Sequence, residues 1–351
     1  MNKDKLLEYL DRSEPCTGEN FSSLDLKGLD FSGMVFDQVT FDQCDFTASD
    51  LDECLFNGCT FIGTIFNHCS LREAVFRACT MTESSLISVN LDSTTFSSTD
   101  LSSSIFNDAL IESTVFQETN LSHVKFNVKL FCKAVFHNIE AINLEIGDVD
   151  IEKTVFFEID MRKMHIHSRL FSQVVLIGCN MEGLNLSNRR FVSCQFTEAN
   201  MDRCNLHGSD IVQSVFSKTS LAYANFDQTN GALTLFAQAK APQATFRNAT
   251  FDRSIWTDAI VDGADFSNTT LTYAAFTRAQ CRGVIYENCA LNFSNFDYAD
   301  LRETSFKASR FEHTSLHAAL MSDPFLTTKS GIAKKDDPLL RAELHSISRT
   351  Y

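Results

Sequence analysis

Across residues 21–321 every fifth residue is large and apolar, and the phase never slips. The first steps are Phe21, Leu26, Phe31, Phe36, Phe41, Phe46 and Leu51; the last are Phe296, Leu301, Phe306, Phe311, Leu316 and Met321. Of the 61 positions (300 divided by 5, plus one), only Ala141, Gly231, Ala241 and Cys281 break the rule. A small residue usually stands two places earlier, as at Ala74, Cys79, Ser84, Thr94, Thr99, Ser104, Ala109, Thr114 and Thr119. A helix repeats at 3.6 and a strand at 2, so a period of five fits neither. It calls for a solenoid whose inward positions recur at fixed spacing and whose turns pack on their neighbours.

Taken twenty apart, the large positions form columns. One runs Phe36, Phe56, Phe76, Phe96, Phe116, Phe136, Phe156, Leu176, Phe196, Phe216, Phe236, Trp256, Phe276, Phe296, Leu316, and twelve of its fifteen members are Phe. The other three columns mix Leu, Ile, Met and Phe. One Phe-rich column in four predicts coils of four units, with stacked rings lining one inner side. About fifteen coils at roughly 4.8 Å each predict a rod of about 70 Å.

The unit resembles the pentapeptide-repeat family, whose pattern is Ala–Asp/Asn–Leu–x–x. Close matches are Ala199-Asn200-Met201-Asp202-Arg203, Ala264-Asp265-Phe266-Ser267-Asn268 and Ala299-Asp300-Leu301-Arg302-Glu303. The resemblance spans residues 21–321. It implies an all-β fold, a right-handed quadrilateral parallel β-helix with one pentapeptide per side. Residues 1–20 precede the repeat; Leu6, Leu7 and Leu10 have helical spacing, and Pro15 follows. A capping helix over the first coil is expected there. Residues 322–351 follow it. Asp337-Pro338 is a helix start, and Leu339, Leu340, Leu344 and Ile347 form an apolar stripe. That tail helix either caps the last coil or pairs with a second copy in a homodimer.

Residues 127–190 keep the large register but lose the small one, which becomes Lys129, Ile139, Leu144, Val149, Ile159, Met164, Arg169, Leu184 and Arg189. A buried unpaired charge is prohibitive. Either these side chains snorkel out or the backbone bulges at this waist.

Length alone suggests two domains, but a uniform repeat overrides that expectation. No apolar run reaches the eighteen residues of a membrane span, and the first residues lack a secretory-signal core, so a cytoplasmic protein is expected. Delivery by a non-classical secretion system stays open. Of the twelve cysteines, nine (Cys44, Cys54, Cys59, Cys69, Cys79, Cys179, Cys194, Cys204, Cys289) sit at the small inward position and Cys281 at the large one. They are read as free, buried, small hydrophobes. His165 and His167 lie two apart, but Glu145 is the single plausible third ligand one coil away. A zinc site needs a fourth, and no metal or cofactor is expected. Glycines are scattered rather than gathered into a phosphate-cradling loop, and no G-x-S-x-G or H-E-x-x-H occurs. The expectation is a non-enzymatic protein that binds another protein on its outer surface.

Charge suggests where. The formal net charge is −15. Residues 13–120 hold 17 acids against Lys27, Arg72 and Arg77, a net of −14. The side built on Phe31, Leu51, Leu71, Leu91 and Ile111 carries Asp30, Asp50, Asp52, Glu53, Glu73, Asp92 and Glu112, against Arg72 alone. Further along, the same side carries Lys129, Lys133, Lys153, Arg169, Arg189 and Arg190 against Asp150 and Glu152. One side thus passes from acidic to basic and is the expected partner-binding face.

Two further resemblances suggest what kind of partner. The opening, from Asp4-Lys5-Leu6-Leu7 to Leu24-Asp25-Leu26-Lys27-Gly28, is similar to pentapeptide-repeat proteins of type VI secretion loci, with Ser13 in place of a Gly. That implies an adaptor role. The family's quinolone-resistance members bind DNA gyrase as DNA mimics, and the acidic first third of the chain invites that alternative. Those members carry projecting loops; here no insertion interrupts the register. No direct nucleic-acid binding is expected.

Overall fold

The computed structural model describes residues 2–333 together with Pro338, Leu339 and Arg341. After one N-terminal helix, α1 (Asn2–Arg12), the chain winds as a parallel stacked-coil β-solenoid of about fifteen turns. It divides into two compact units, Met1–Cys179 and Asn180–Tyr351.

In unit 1 each rung pairs in parallel with the rung twenty residues on. On the Phe36 side the register is Phe36 to Phe56, Phe56 to Phe76, and so on through Phe156 to Leu176. Val35, Val75, Thr95, Val115, Val135, Val155 and Val175 stand just before these central residues, and β-branched side chains suit the extended backbone there. Coils of twenty confirm the four-sided unit. In unit 2 the same spacing holds, with Val215 bridging Leu235, Leu235 bridging Ile255 and Ile255 bridging Ala275.

Corners explain the fifth-residue clock. At Phe31 the amide of Met34 donates to the Phe31 carbonyl at 3.0 Å, and Gly33 between them has φ 70°. That is a type II turn, whose third residue must be left-handed. Nearly every corner places its residue there, yet the occupants are often not glycine: Glu53 (φ 58°), Ser93 (59°), Tyr273 (59°) and Phe293 (58°) all adopt it. The repeating stack imposes this conformation on side chains that avoid it in isolation.

The core matches the columns. Phe36 and Phe56 stack at 5.2 Å, Phe56 and Phe76 at 4.7 Å, Phe76 and Phe96 at 5.1 Å, with planes within 13° of parallel. In unit 2 Phe236 and Trp256 stack at 4.0 Å. The small inward positions do more than fill space. Thr94 Oγ1 donates to the Leu71 carbonyl at 2.7 Å and Ser84 Oγ to Phe61 O at 2.8 Å. Buried cysteines copy this: Cys54 Sγ donates to Phe31 O at 2.9 Å and Cys204 Sγ to Met181 O at 2.9 Å. The reading of the buried thiols as plain hydrophobes is therefore incomplete, because thiols such as Cys54 and Cys204 tie one coil to the next.

Two breaks in the large register are matched by an oversized neighbour. A Cβ at Gly231 would lie 2.2 Å from the ring of Phe251, so that ring fills the room a larger residue would take. Cys281 lies beside the hydroxyl of fully buried Tyr286, a larger ring than the usual Phe.

The waist settles in favour of a bulge at two corners. Val128 and Ser168 are buried, one place earlier than the pattern predicts, and Lys129 and Arg169 are exposed. The left-handed residue is missing at both corners. Within α1, Leu6 is fully buried, whereas Leu7 and Leu10 are half-buried. At the other end a 3-10 turn, Pro324–Thr328, buries Leu326, and Ala333 N donates to Thr314 O at 2.8 Å. The chain thus adds a partial rung beyond Met321.

Candidate binding face

The Phe31 side of unit 1 is built on buried Phe31, Leu51, Leu71, Leu91, Ile111, Phe131, Ile151 and Phe171. Because the central residue points inward, its flanking residues point out. Asp30 pairs in parallel with Asp50, Asp50 with Ser70, Ser70 with Asn90 and Asn90 with Leu110. Glu112 then pairs with Cys132, and Cys132 with Glu152. One continuous side therefore carries all seven predicted acids, and Lys129 and Arg169 farther along. Arg189 and Arg190 belong to unit 2.

The acids do different work. Asp30 Oδ1 accepts from the Ser32 hydroxyl at 2.7 Å and amide at 2.9 Å, and those bonds lower its pKa. Asp50 Oδ1 accepts from the Asp52 amide at 2.9 Å. Asp52 reaches to the next coil, accepting from the Arg72 amide at 2.9 Å and from the Ser70 hydroxyl. These three stabilise corners and rungs. Glu53 and Glu73 are exposed, and Asp92 is half-buried. Among the described residues, no cation stands within ion-pair distance of Asp30, Asp50, Glu53, Glu73 or Asp92.

The passage from acid to base is partly neutralised. Lys133 Nζ meets Glu112 Oε1 at 2.8 Å, which raises the lysine's pKa, and Lys129 lies 3.7 Å from Asp108. In unit 2 Arg190 lies 3.8 Å from Asp210, while burial lowers the pKa of half-buried Arg189. The uncompensated charge is thus the acidic stretch. Unit 1 holds 27 acids and 13 bases, a net of −14; unit 2 holds 18 and 17, a net of −1.

Other candidates resolve as follows. Glu145 sits 3.4 Å from Lys125 Nζ, with which it forms an ion pair, and 3.7 Å from His167 Nε2. Leu339 is exposed, whereas Leu340, Leu344 and Ile347 lie outside the described residues. A cavity of about 280 Å³ opens beside the last coil, lined by Phe306, Lys307, Asp323, Leu326 and Lys329 among others. No described helix is long and apolar enough to cross a membrane. The sequence reading missed a row of exposed rings in unit 2, although Tyr273, Phe293 and His313 stand twenty apart at a position held, apart from Leu233, by small or polar residues elsewhere.

This geometry, a four-sided stack of five-residue sides, defines the class of protein. The family described as "Pentapeptide repeat region" matches residues 49–126, and "Pentapeptide repeats (8 copies)" matches 17–52, 170–208, 199–230 and 287–323. Together these take in more than half of the chain, which belongs to the pentapeptide-repeat family. Its members are generally non-enzymatic structural or binding proteins. Among solved structures, the chain is similar to HetL, a pentapeptide-repeat protein involved in heterocyst differentiation regulation in the cyanobacterium Nostoc sp. strain PCC 7120. Identity is 14%, over 90% of this chain and 97% of that one, with a TM-score of 0.26. It is also similar to a trypsin-treated form of QnrB1, a plasmid-mediated fluoroquinolone resistance protein, at 15% identity over 94% and 98% of the two chains, TM-score 0.18. Rfr23 from the cyanobacterium Cyanothece 51142 matches at 18% over 42% of this chain and 91% of its own, TM-score 0.17. No curated protein matches.

Proposed function

We propose that the chain is a non-enzymatic binding scaffold and that the Phe31 side of unit 1 captures a partner through a basic surface. The observation that carries this is the set of uncompensated carboxylates on one side, Asp30, Asp50, Glu53, Glu73 and Asp92, in successive rungs. A one-sign strip on a regular stack attracts a complementary partner and fixes its direction, raising association rates by about 10- to 1000-fold. The test reverses Glu53, Glu73 and Asp92 to lysine together. Asp30, Asp50 and Asp52 are left in place because they bind backbone amides. Proteins retained from a bacterial lysate at low salt by the wild type, and lost by the variant, are the expected result. A type VI secretion component is one partner to look for among them. Equal retention of the same proteins by both forms refutes the reading.

A second reading has its own support. Charge is concentrated in unit 1, and residues 13–120 span about 5.4 coils, roughly 26 Å at 4.8 Å per coil. Duplex DNA of that length carries about 15 charges at one per 1.7 Å, against the net of −14 here. A DNA mimic of this kind would bind a topoisomerase such as DNA gyrase. Unchanged supercoiling by gyrase at micromolar protein removes this reading and leaves the first intact.

A further inference from the structure

The corner between the Phe31 and Phe36 sides of unit 1 carries charge in a symmetric order. Successive rungs hold Glu53, Glu73, Ser93, Ser113, Lys133 and Lys153, all left-handed, with φ between 49° and 59°. Each corner is tied to the next coil, as by Glu53 N donating to Arg72 O at 2.8 Å and Lys133 N to Glu152 O at 2.9 Å. Two acids, two small hydroxyls and two bases follow in line, placed evenly about position 103. Among the described residues, Glu53, Glu73 and Lys153 have no ion partner, and Lys133 holds Glu112 of its own chain.

Beside this corner the Phe36 side turns an apolar column outward. It runs from Val35 and Leu55 to Val175, with valine at six of its eight rungs. Leu55 is exposed and the others are half-buried. An extended backbone favours β-branched residues but does not ask for apolar ones. Before Phe41, Phe61 and Met81 the same position holds Thr40, Thr60 and Thr80.

One occupant satisfies both features. Set a second copy antiparallel against the Phe36 side, with a two-fold axis crossing the coils between the levels of Ser93 and Ser113. The axis lies in the contact plane, so each column faces itself in reverse. Glu53 then faces Lys153 of the second copy, Glu73 faces its Lys133, and Ser93 meets its Ser113 at the centre. Both ion pairs occur twice. Along the apolar column Leu55 meets Val155 and Val75 meets Val135. Elsewhere on this side Arg77 faces His137, while Asp37, Glu118 and Glu158 face Ile177, Ser98 and Gly58, so no two carboxylates meet. The same rotation applied to the Phe31 side would set Asp52 against Glu152 and Asp92 against Glu112. That side repels its own copy, so charge selects the Phe36 side. Five residues bound a side at about 16 Å, and seven rung steps make about 34 Å. A contact on the order of 500 Å² per copy falls short of the roughly 800 Å² of a stable interface, so the association is weak and sensitive to salt.

We propose that unit 1 binds a second copy of the chain antiparallel, through the Phe36 side and the Glu53–Lys153 corner. This goes beyond the reading of the Phe31 side, with which it shares Glu53 and Glu73. The test is sedimentation velocity of the purified full chain from about 1 to 100 μM, at low and high salt. Two variants reverse opposite ends of the corner: Glu53→Lys/Glu73→Lys and Lys133→Glu/Lys153→Glu. The corner already carries both residue types in the left-handed conformation, so both variants should fold, with thermal melting as the check. The expected wild type dimerises reversibly at low salt and dissociates as salt rises. Each variant alone should be monomeric. An equimolar mixture of the two should dimerise again, because every pair across a mixed dimer is opposite in sign. A wild type that stays monomeric overturns the proposal. So does a dimer that survives either reversal, which assigns it to another surface, and so does a mixture that remains monomeric. Lys133→Glu/Lys153→Glu keeps every carboxylate of the Phe31 side, so its retention of lysate proteins tests that reading independently of the dimer.

Discussion

Consider replacing Gly231 with alanine or leucine. The repeat pattern calls for a large apolar residue there, and burying a leucine ordinarily stabilises by about 1.5–3 kcal/mol. The φ of Gly231 is not left-handed, so even alanine should gain about 0.4–1 kcal/mol from a stiffer unfolded chain. Packing opposes both. The new Cβ would meet the Phe251 ring at 2.2, 2.5 and 3.0 Å. That ring is fully buried and packs 5.8 Å from Phe236, 5.4 Å from Phe246 and 5.7 Å from Trp256, so it has no free direction to move. Overpacking of this kind costs about 1–3 kcal/mol, and leucine should exceed alanine. Phe251→Ala alone should cost about 3–5 kcal/mol, since no residue at position 231 closes the gap. Joined to Gly231→Leu, it should cost much less than the sum, because the leucine enters the vacated space. Urea unfolding followed by emission of the single tryptophan, Trp256, reads the affected cluster directly. Wild-type or higher stability of Gly231→Leu refutes the argument, and so does strict additivity in the double variant.

Further expectations follow from the same packing. Tyr286→Phe should leave stability unchanged or raise it by about 1 kcal/mol in urea titration, because the buried hydroxyl has no partner better than a thiol. Phe76→Asp should abolish soluble expression by placing a charge in a ring column with 0% exposure, and one residue inserted after Leu101 should be nearly as harmful. Burial pushes the thiols of Cys54, Cys69, Cys204, Cys281 and Cys289 up to about 12. A raised pKa means the folded form holds its proton longer, so stability is complete below about pH 9 and falls as pH rises toward 12. The urea midpoint should therefore drop between pH 9 and pH 11, and a flat profile would contradict the burial argument. At pH 8, alkylation should reach half-exposed Cys132 first and the buried thiols only on unfolding.

The fold was legible because period and burial are one constraint. Every fifth residue must fill a narrow interior, so a phase unbroken from Phe21 onward already states the length of each side. Coil size followed from the Phe36 column, and the stacked rings occupy the places that column assigned. What the pattern hid was compensation across coils. Gly231 read only as a break in the register because its partner Phe251 stands twenty residues away, beyond any local window. Cys281 likewise gains meaning only beside Tyr286, where one added hydroxyl asks for a smaller neighbour. Lys129 and Arg169 fell on inward positions, and the sequence left snorkelling and a bulge equally open; a one-residue bulge moves Val128 and Ser168 inward instead.

Function was less legible for a related physical reason. Outward positions do not decide whether the stack forms, so most of them vary without consequence, and a charge there carries little information alone. The structure sorts them by what else holds each one. Asp30, Asp50 and Asp52 bind amides, and a corner or rung suffices to explain them. Glu53 and Glu73 bind nothing in the stack, and each occupies a left-handed position that glycine or asparagine would hold with less strain. Tyr273 and Phe293 do the same with larger side chains. A residue that the fold would rather exchange, repeated at the spacing of the coils, is where a demand other than folding becomes visible, and that argument is what favours the carboxylate strip as the proposed binding face.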